Sequence, residues 1–134
     1  MVKLVELKEM LRLNEMSRGY VVVDENLESL SPYLQAKKIK VIVPPKGTSD
    51  EHIQEKYLPG RILITNNTKD FVEGIIEQEY GIISTEGINS KDPNRLADLI
   101  SKAIMKHHLW SLKHGFILKL SSDGKHKLKM VSED

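Results

Sequence analysis

Four short runs of apolar and β-branched residues alternate with segments of helix length. The runs cover residues 20–23, 40–43, 61–65 and 81–84, and polar or turn-forming residues end each of them. Short continuous apolar strands separated by helices are typical of a parallel sheet that is covered on both faces. Because crossovers between parallel strands are short and right-handed, the alternation predicts an α/β fold with a four-stranded parallel sheet.

The segments between these runs begin with residues that suit a first helical turn. Helix starts are predicted at Ser31-Pro32, at the capping-box pattern Thr48-Ser49-Asp50-Glu51, at Asp70 and at Asp92-Pro93. Leucines spaced three and four residues apart predict a further amphipathic helix over residues 2–16. Residues 116–120 and 127–131 flank an Asp-Gly pair, which predicts a closing β-hairpin.

Length, charge and cysteine content narrow the classes of function. The 134 residues match one domain, and 20 basic against 19 acidic residues give a net charge of +1, so no overall charge indicates a nucleic-acid partner. The chain has no cysteine, which excludes disulfides and thiolate sites and leaves Asp, Glu and His as metal ligands. Its apolar runs are too short to span a bilayer, so a cytoplasmic location is expected.

Acidic and amide side chains follow three successive predicted strands. In an open parallel sheet, ligands bind beyond the carboxyl ends of the strands, where these side chains would meet. The residues are Asp24, Glu25, Asp50, Glu51, Asn67 and Asp70. Several carboxylates on one rim repel each other unless a cation lies between them, and oxygen ligands suit Mg²⁺ or Mn²⁺. The pattern therefore predicts a metal site.

Three motifs in this order resemble small PIN-like proteins. They are Val23-Asp24-Glu25-Asn26-Leu27, Thr48-Ser49-Asp50-Glu51-His52-Ile53 and Ile62-Leu63-Ile64-Thr65-Asn66-Asn67-Thr68-Lys69-Asp70-Phe71. The resemblance implies a PIN-like three-layer fold over residues 20–134, with residues 1–19 as an extra N-terminal helix and a C-terminal hairpin. It also implies a metal-dependent endoribonuclease, often the toxin of a toxin–antitoxin pair.

The resemblance assigns roles to individual residues. Asp24, Asp50 and Asp70 would be catalytic, Asp24, Glu51, Asn67 and Asp70 would hold Mg²⁺ or Mn²⁺, and a bound water would attack a phosphodiester of single-stranded RNA. The chain departs from the family pattern at Asn67, where an acid is usual, and Thr68 lengthens the spacing to Asp70 by one residue. An antitoxin-like protein and a second copy of the chain are the expected protein partners.

Other interpretations of the same residues stay open. The acidic pair after residue 49 also suits a first helical turn, and Asn67 and Asp70 also suit helix caps. The lysines of the second half, among them Lys127 and Lys129, are interpreted as solvated unless a subset gathers near the acidic rim, where it would hold an RNA backbone.

Two functions are alternatives to the nuclease. The second-ranked function is a catalytically inactive PIN-like module that binds protein or RNA. The third is a phosphoacceptor domain, which the missing Lys-Pro pair disfavours.

Overall fold

One sheet of six strands organises the chain. The computed structural model describes residues 20–88, 92–112 and 114–131. The strands are β1 (Tyr20–Val23), β2 (Lys40–Ile42), β3 (Ile62–Thr65), β4 (Gly81–Gly87), β5 (Phe116–Ser121) and β6 (His126–Met130), in the order β2-β1-β3-β4-β5-β6. The first five strands are parallel and β6 is antiparallel to β5. The predicted α/β class with a mostly parallel sheet is confirmed.

Short helical segments connect the strands. The helices are α1 (Ser31–Ala36), α2 (Asp50–His52), α3 (Gly74–Gln78), α4 (Pro93–Lys106) and α5 (Leu109–Leu112). Helix α2 continues as a π-helical turn over Ile53–Tyr57, and 3₁₀ turns cover Glu25–Leu30 and Thr68–Asp70. The predicted helix over residues 2–16 lies outside the described residues. No helix within the described ranges is long and apolar enough to span a membrane.

The C-terminal hairpin belongs to the sheet and is not a separate appendage. Strand β5 pairs with β4 in parallel, with Ile82 opposite Ile117 and Ser84 opposite Lys119. An isolated hairpin is only marginally stable in water, whereas pairing with β4 buries the apolar side chains of β5, among them Phe116. The sheet therefore has five parallel strands and one antiparallel edge strand, where the sequence predicted a four-stranded parallel sheet.

Alternating side chains of the strands build one core on each face of the sheet. Val23, Ile64 and Ile83 face α1 and α4, whereas Leu63 and Ile82 face the π-helical turn and α3. Both sets are almost fully buried, which explains why the strands of the sequence are continuously apolar. The connections after β1 and β4 pack on one face of the sheet and those after β2 and β3 on the other, and this arrangement shapes the site described below.

Two predicted helix caps differ from the observed ones. Ser31 lies inside the helical segment, because the preceding 3₁₀ turn runs directly into α1, and its hydroxyl is buried without a hydrogen-bond partner in the described structure. At α2 the cap is Ser49, which accepts a hydrogen bond from the backbone of His52, while Thr48 donates to the carbonyl of Pro45. The predicted capping box was therefore shifted by one residue.

Candidate metal centre

The strand order creates a crevice between β1 and β3 at their carboxyl ends. The connection after β1 crosses the first face through α1, and the connection after β3 crosses the opposite face through α3. At such a switch point the two loops separate and leave room for a ligand. The Asn26 amide donates a hydrogen bond of 3.0 Å to the side-chain oxygen of Asn66 across this crevice. The acidic residues predicted from the sequence lie at its rim.

Asp24 and Asp50 line one small cavity. Asp24 follows β1 directly, and Asp50 begins α2 behind the loop that contains Pro44 and Pro45. The cavity has a volume of about 40 Å³, and its wall also includes Thr48. A space of about 10 to 15 Å³ holds one water molecule. The cavity between Asp24 and Asp50 is larger than that, so it has room for an ion with part of its hydration shell.

A hydrogen-bonded chain connects Asp24 to Asp70 through residues at the end of β3. The Thr65 hydroxyl donates to Asp24 Oδ2 at 2.9 Å and accepts from the backbone N–H of Asn67 at 3.0 Å. The Asn67 side-chain amide in turn donates to the Asp70 carboxylate. A carboxylate at position 67 has no N–H with which to make this bond, so the amide of Asn67 orients Asp70.

The carboxylates also interact through their charges. Partial burial raises the pKa of Asp50 above its ordinary value, and the negative charges of Asp70 and Asp24 raise it further. Ionised Asp50 is therefore opposed by two other acidic side chains of the rim. The structure thus brings together the three predicted catalytic residues, Asp24, Asp50 and Asp70. Glu51, a predicted metal ligand, is exposed and does not line the cavity.

The donor set suits an oxygen-preferring divalent cation bound partly through water. Within the described residues, no three His, Cys, Asp or Glu side chains come close enough together to enclose a metal ion directly. Mg²⁺ commonly keeps several waters and uses only one or two carboxylates of the protein. On this basis Asp24 would hold the ion, and Asp50 and Asp70 would contact its water shell.

No family model, curated protein or solved structure matched this chain. The PIN-like assignment therefore depends on the three sequence motifs and remains a prediction. The hydrogen bonds and the cavity of the acidic site are features of the structure and do not depend on that assignment.

A second, larger cavity is lined in part by Asn66. Its volume is about 330 Å³, and it is lined by Leu27, Asn66, Thr85, Glu86, Ile88 and Leu96. The Glu86 carboxylate accepts a hydrogen bond of 2.5 Å from the backbone N–H of Thr68 and so holds the 3₁₀ turn that carries Asp70. Glu86 lies near the end of β4, and because this contact joins residues 18 positions apart, no local sequence pattern indicates it.

The structure also pairs two histidines that the sequence did not connect. His107 follows α4 and His126 begins β6, and their ring nitrogens Nε2 and Nδ1 lie 2.6 Å apart. Partial burial lowers the pKa of His107, with further contributions from the positive charges of His126, Lys106 and His108. No third ligand completes a metal site at this pair within the described ranges. The pair links α4 to the edge strand.

The mutual repulsion of the carboxylates predicts a stability effect. Asp50→Asn is expected to raise the melting temperature at pH 7 without divalent cations, because an acid whose pKa is raised on folding disfavours the folded state when ionised. This penalty disappears as the pH falls through the pKa of Asp50, so the gain should shrink between pH 7 and pH 4. Thermal melts across this pH range measure it.

Glu51→Gln is the matched control for this prediction. It removes a charge from the same helical turn, with the same relation to the helix dipole, but outside the cavity. Equal changes in melting temperature for both variants would contradict the repulsion inferred at Asp50.

Proposed function

We propose that this chain is a metal-dependent endoribonuclease of the PIN-like type that cleaves single-stranded RNA at the Asp24, Asp50 and Asp70 site. The observation that carries the proposal is the cavity shared by Asp24 and Asp50, which residues of the connections after β1 and β2 form at the carboxyl end of the sheet. The motif resemblance supports the same residues independently. A bound Mg²⁺ or Mn²⁺ would lower the pKa of a water molecule and neutralise charge on phosphoryl oxygens.

Asp24 supplies a fixed negative charge. One of its carboxylate oxygens accepts the hydrogen bond from Thr65, which leaves Oδ1 for the cation. Because Thr65 is fully buried and also accepts from the backbone of Asn67, its hydroxyl proton points toward Asp24. The carboxylate is thereby oriented before any ligand binds, which reduces the reorganisation that binding requires.

Asp50 is the proton acceptor in this proposal. Its raised pKa makes its carboxylate a stronger base than an ordinary Asp, and general bases work best when their pKa lies closer to the working pH. The Asp50 carboxylate would accept a proton from the water that attacks the phosphorus atom, while the bond from phosphorus to one ribose oxygen breaks and that leaving oxygen takes a proton from solvent. Asp70, held by the amide of Asn67, orients that water from the other side of the rim.

The test combines metal binding and RNA cleavage in the same buffers. Mn²⁺ and Mg²⁺ are titrated into the wild-type protein by calorimetry, and a fluorophore-quencher single-stranded RNA reports cleavage. We expect saturable binding and metal-dependent cleavage, both lost in Asp24→Asn/Asp70→Asn. Glu55→Gln/Glu77→Gln is the matched control, because it removes two exposed helix carboxylates away from the rim and should retain both activities.

The alternative is a PIN-like module that binds RNA or protein without cleaving it. The observation that favours it is the lack of three directly clustered ligands among the described residues. Metal binding without cleavage by the folded wild-type protein would support this alternative. Absence of both activities would refute the nuclease. The toxin role, an antitoxin-like partner and a homodimer are further proposals that follow from the resemblance alone.

A further inference from the structure

The pairing of four strands places two lysines in line with the acidic site. Thr65 of β3 lies opposite Ser84 of β4, Ser84 lies opposite Lys119 of β5, and Lys119 lies opposite Lys127 of β6. Laterally paired residues of a sheet point to the same face. The polar row that begins at Thr65, the hydrogen-bond partner of Asp24, therefore ends at two positive charges.

A third lysine lies on the same face of the hairpin. Lys129 is opposite Ile117, which packs in the core on that face together with Leu63 and Ile82. Lys119, Lys127 and Lys129, here called the hairpin lysines, are all exposed. Within the described residues none of the three forms an ion pair, since the ion pairs there involve Lys37, Lys102 and Lys125.

The hairpin lysines are not explained by protection of the sheet edge alone. Lysines on an exposed edge strand prevent pairing with other chains, and this role accounts for Lys127 and Lys129 on β6. Lys119 lies on β5, which is paired on both sides and has no free edge. Like charges directly opposite each other in a sheet are destabilising, so Lys119, which lies opposite Lys127, costs stability without protecting an edge.

A polyanion is the partner that compensates for this repulsion. Lys119 is two strands from Thr65 and Lys127 three strands, which is about 10 and about 15 Å at the usual strand spacing. The acidic rim repels phosphates, and no Lys or Arg lines either of the two described cavities. A nucleic-acid strand that reaches the rim therefore needs positive charge from a neighbouring surface, and the hairpin lysines lie on the same face.

We propose that the hairpin lysines bind the phosphate backbone of single-stranded RNA and direct it to the acidic site. The inference extends the proposed nuclease function by naming the surface that holds its substrate. Each lysine neutralises a phosphate and releases its counterions, so binding depends on salt. The contact is made to the backbone, so it is independent of base sequence.

The test measures RNA binding separately from cleavage. A labelled 12-nucleotide oligouridylate is titrated in EDTA, where metal-dependent cleavage cannot occur, at several KCl concentrations by fluorescence anisotropy. We expect Lys119→Gln/Lys127→Gln/Lys129→Gln to weaken binding and to reduce the slope of log K against log [KCl] by about 2, at about 0.7 per lost phosphate contact. Lys38→Gln/Lys56→Gln/Lys106→Gln removes three exposed lysines elsewhere and is the matched control.

The outcomes separate this inference from the proposed nuclease. If wild-type protein binds the oligonucleotide and only the hairpin variant loses affinity, the hairpin surface is supported even when no cleavage is seen. Where cleavage occurs, the hairpin variant should raise KM with little change in kcat and should leave the calorimetric affinity for Mn²⁺ unchanged. Equal loss of affinity in both lysine variants, or no binding by wild-type protein at low salt, would overturn the inference.

Discussion

Asp24→Asn is expected to reduce RNA cleavage by at least about 100-fold, the size of effect that follows loss of an electrostatic stabiliser in other active sites. The substitution keeps the shape of the side chain and an oxygen that can accept the hydrogen bond from Thr65. It removes the charge that would hold a divalent cation, and that charge also contributes, after burial and Asp70, to the raised pKa of Asp50. The melting temperature without metal should not fall, because a repulsion is removed.

Single-turnover cleavage and calorimetric titration with Mn²⁺ measure this prediction, and thermal melts confirm that the variant folds. Thr65→Val is the informative companion variant. It retains the Asp24 charge but removes the hydroxyl that orients it, so the expected loss of metal affinity or activity is smaller, about 10-fold to 100-fold. Wild-type cleavage by Asp24→Asn would place the catalytic site elsewhere.

Gly81→Ala is expected to lower the free energy of unfolding by about 2 to 3 kcal/mol, at the upper end of the usual cost of overpacking a core. A β-carbon at position 81 would lie between 2.2 and 2.7 Å from three ring atoms of Phe116. Phe116 belongs to β5, which pairs with β4. Its ring is fully buried, so it has little room to move. The strand contact therefore requires glycine.

Denaturant unfolding of Gly81→Ala, Phe116→Leu and the double variant tests this explanation. The smaller Leu side chain should accommodate the added methyl group, so the double variant should be more stable than the sum of the two single effects predicts. Additive effects would show that the cost of Gly81→Ala arises from another contact. Because the substitution lies far from the acidic rim, metal affinity should be unchanged where the protein is folded.

Local signals in the sequence predicted much of the secondary structure. The apolar runs at β1, β2 and β3 and the Asp92-Pro93 start of α4 were located closely, because burial on both sheet faces and first-turn chemistry depend on neighbouring residues. The hairpin turn at Asp123-Gly124 was also located, since Gly124 has the positive φ that the turn requires. The predicted cap at Thr48 lies at Ser49 instead, because adjacent Thr and Ser hydroxyls are locally equivalent. The one at Ser31 is absent because the preceding 3₁₀ turn runs directly into α1.

The positions of the acidic side chains were partly predictable. Parallel strands bring their carboxyl ends to one edge, so Asp24, Asp50 and Asp70 were expected to meet from strand alternation alone. Thr65 was not identified as part of this site, because a Thr at the end of an apolar run is equally compatible with ordinary strand packing. Its hydrogen bond to Asp24 joins residues 41 positions apart, and no local pattern encodes that contact.

The sequence by itself therefore determined most of the strands, the start of α4 and the acidic edge. Only the tertiary structure decided that β5 pairs with β4, and in which register the two strands pair. That register places Lys119 in line with Ser84 and Thr65. The physical reason is that periodicity within a strand fixes which face a residue occupies, whereas the neighbour across the sheet is chosen by packing between distant segments. Here the burial of Phe116 against Gly81 contributes to that choice.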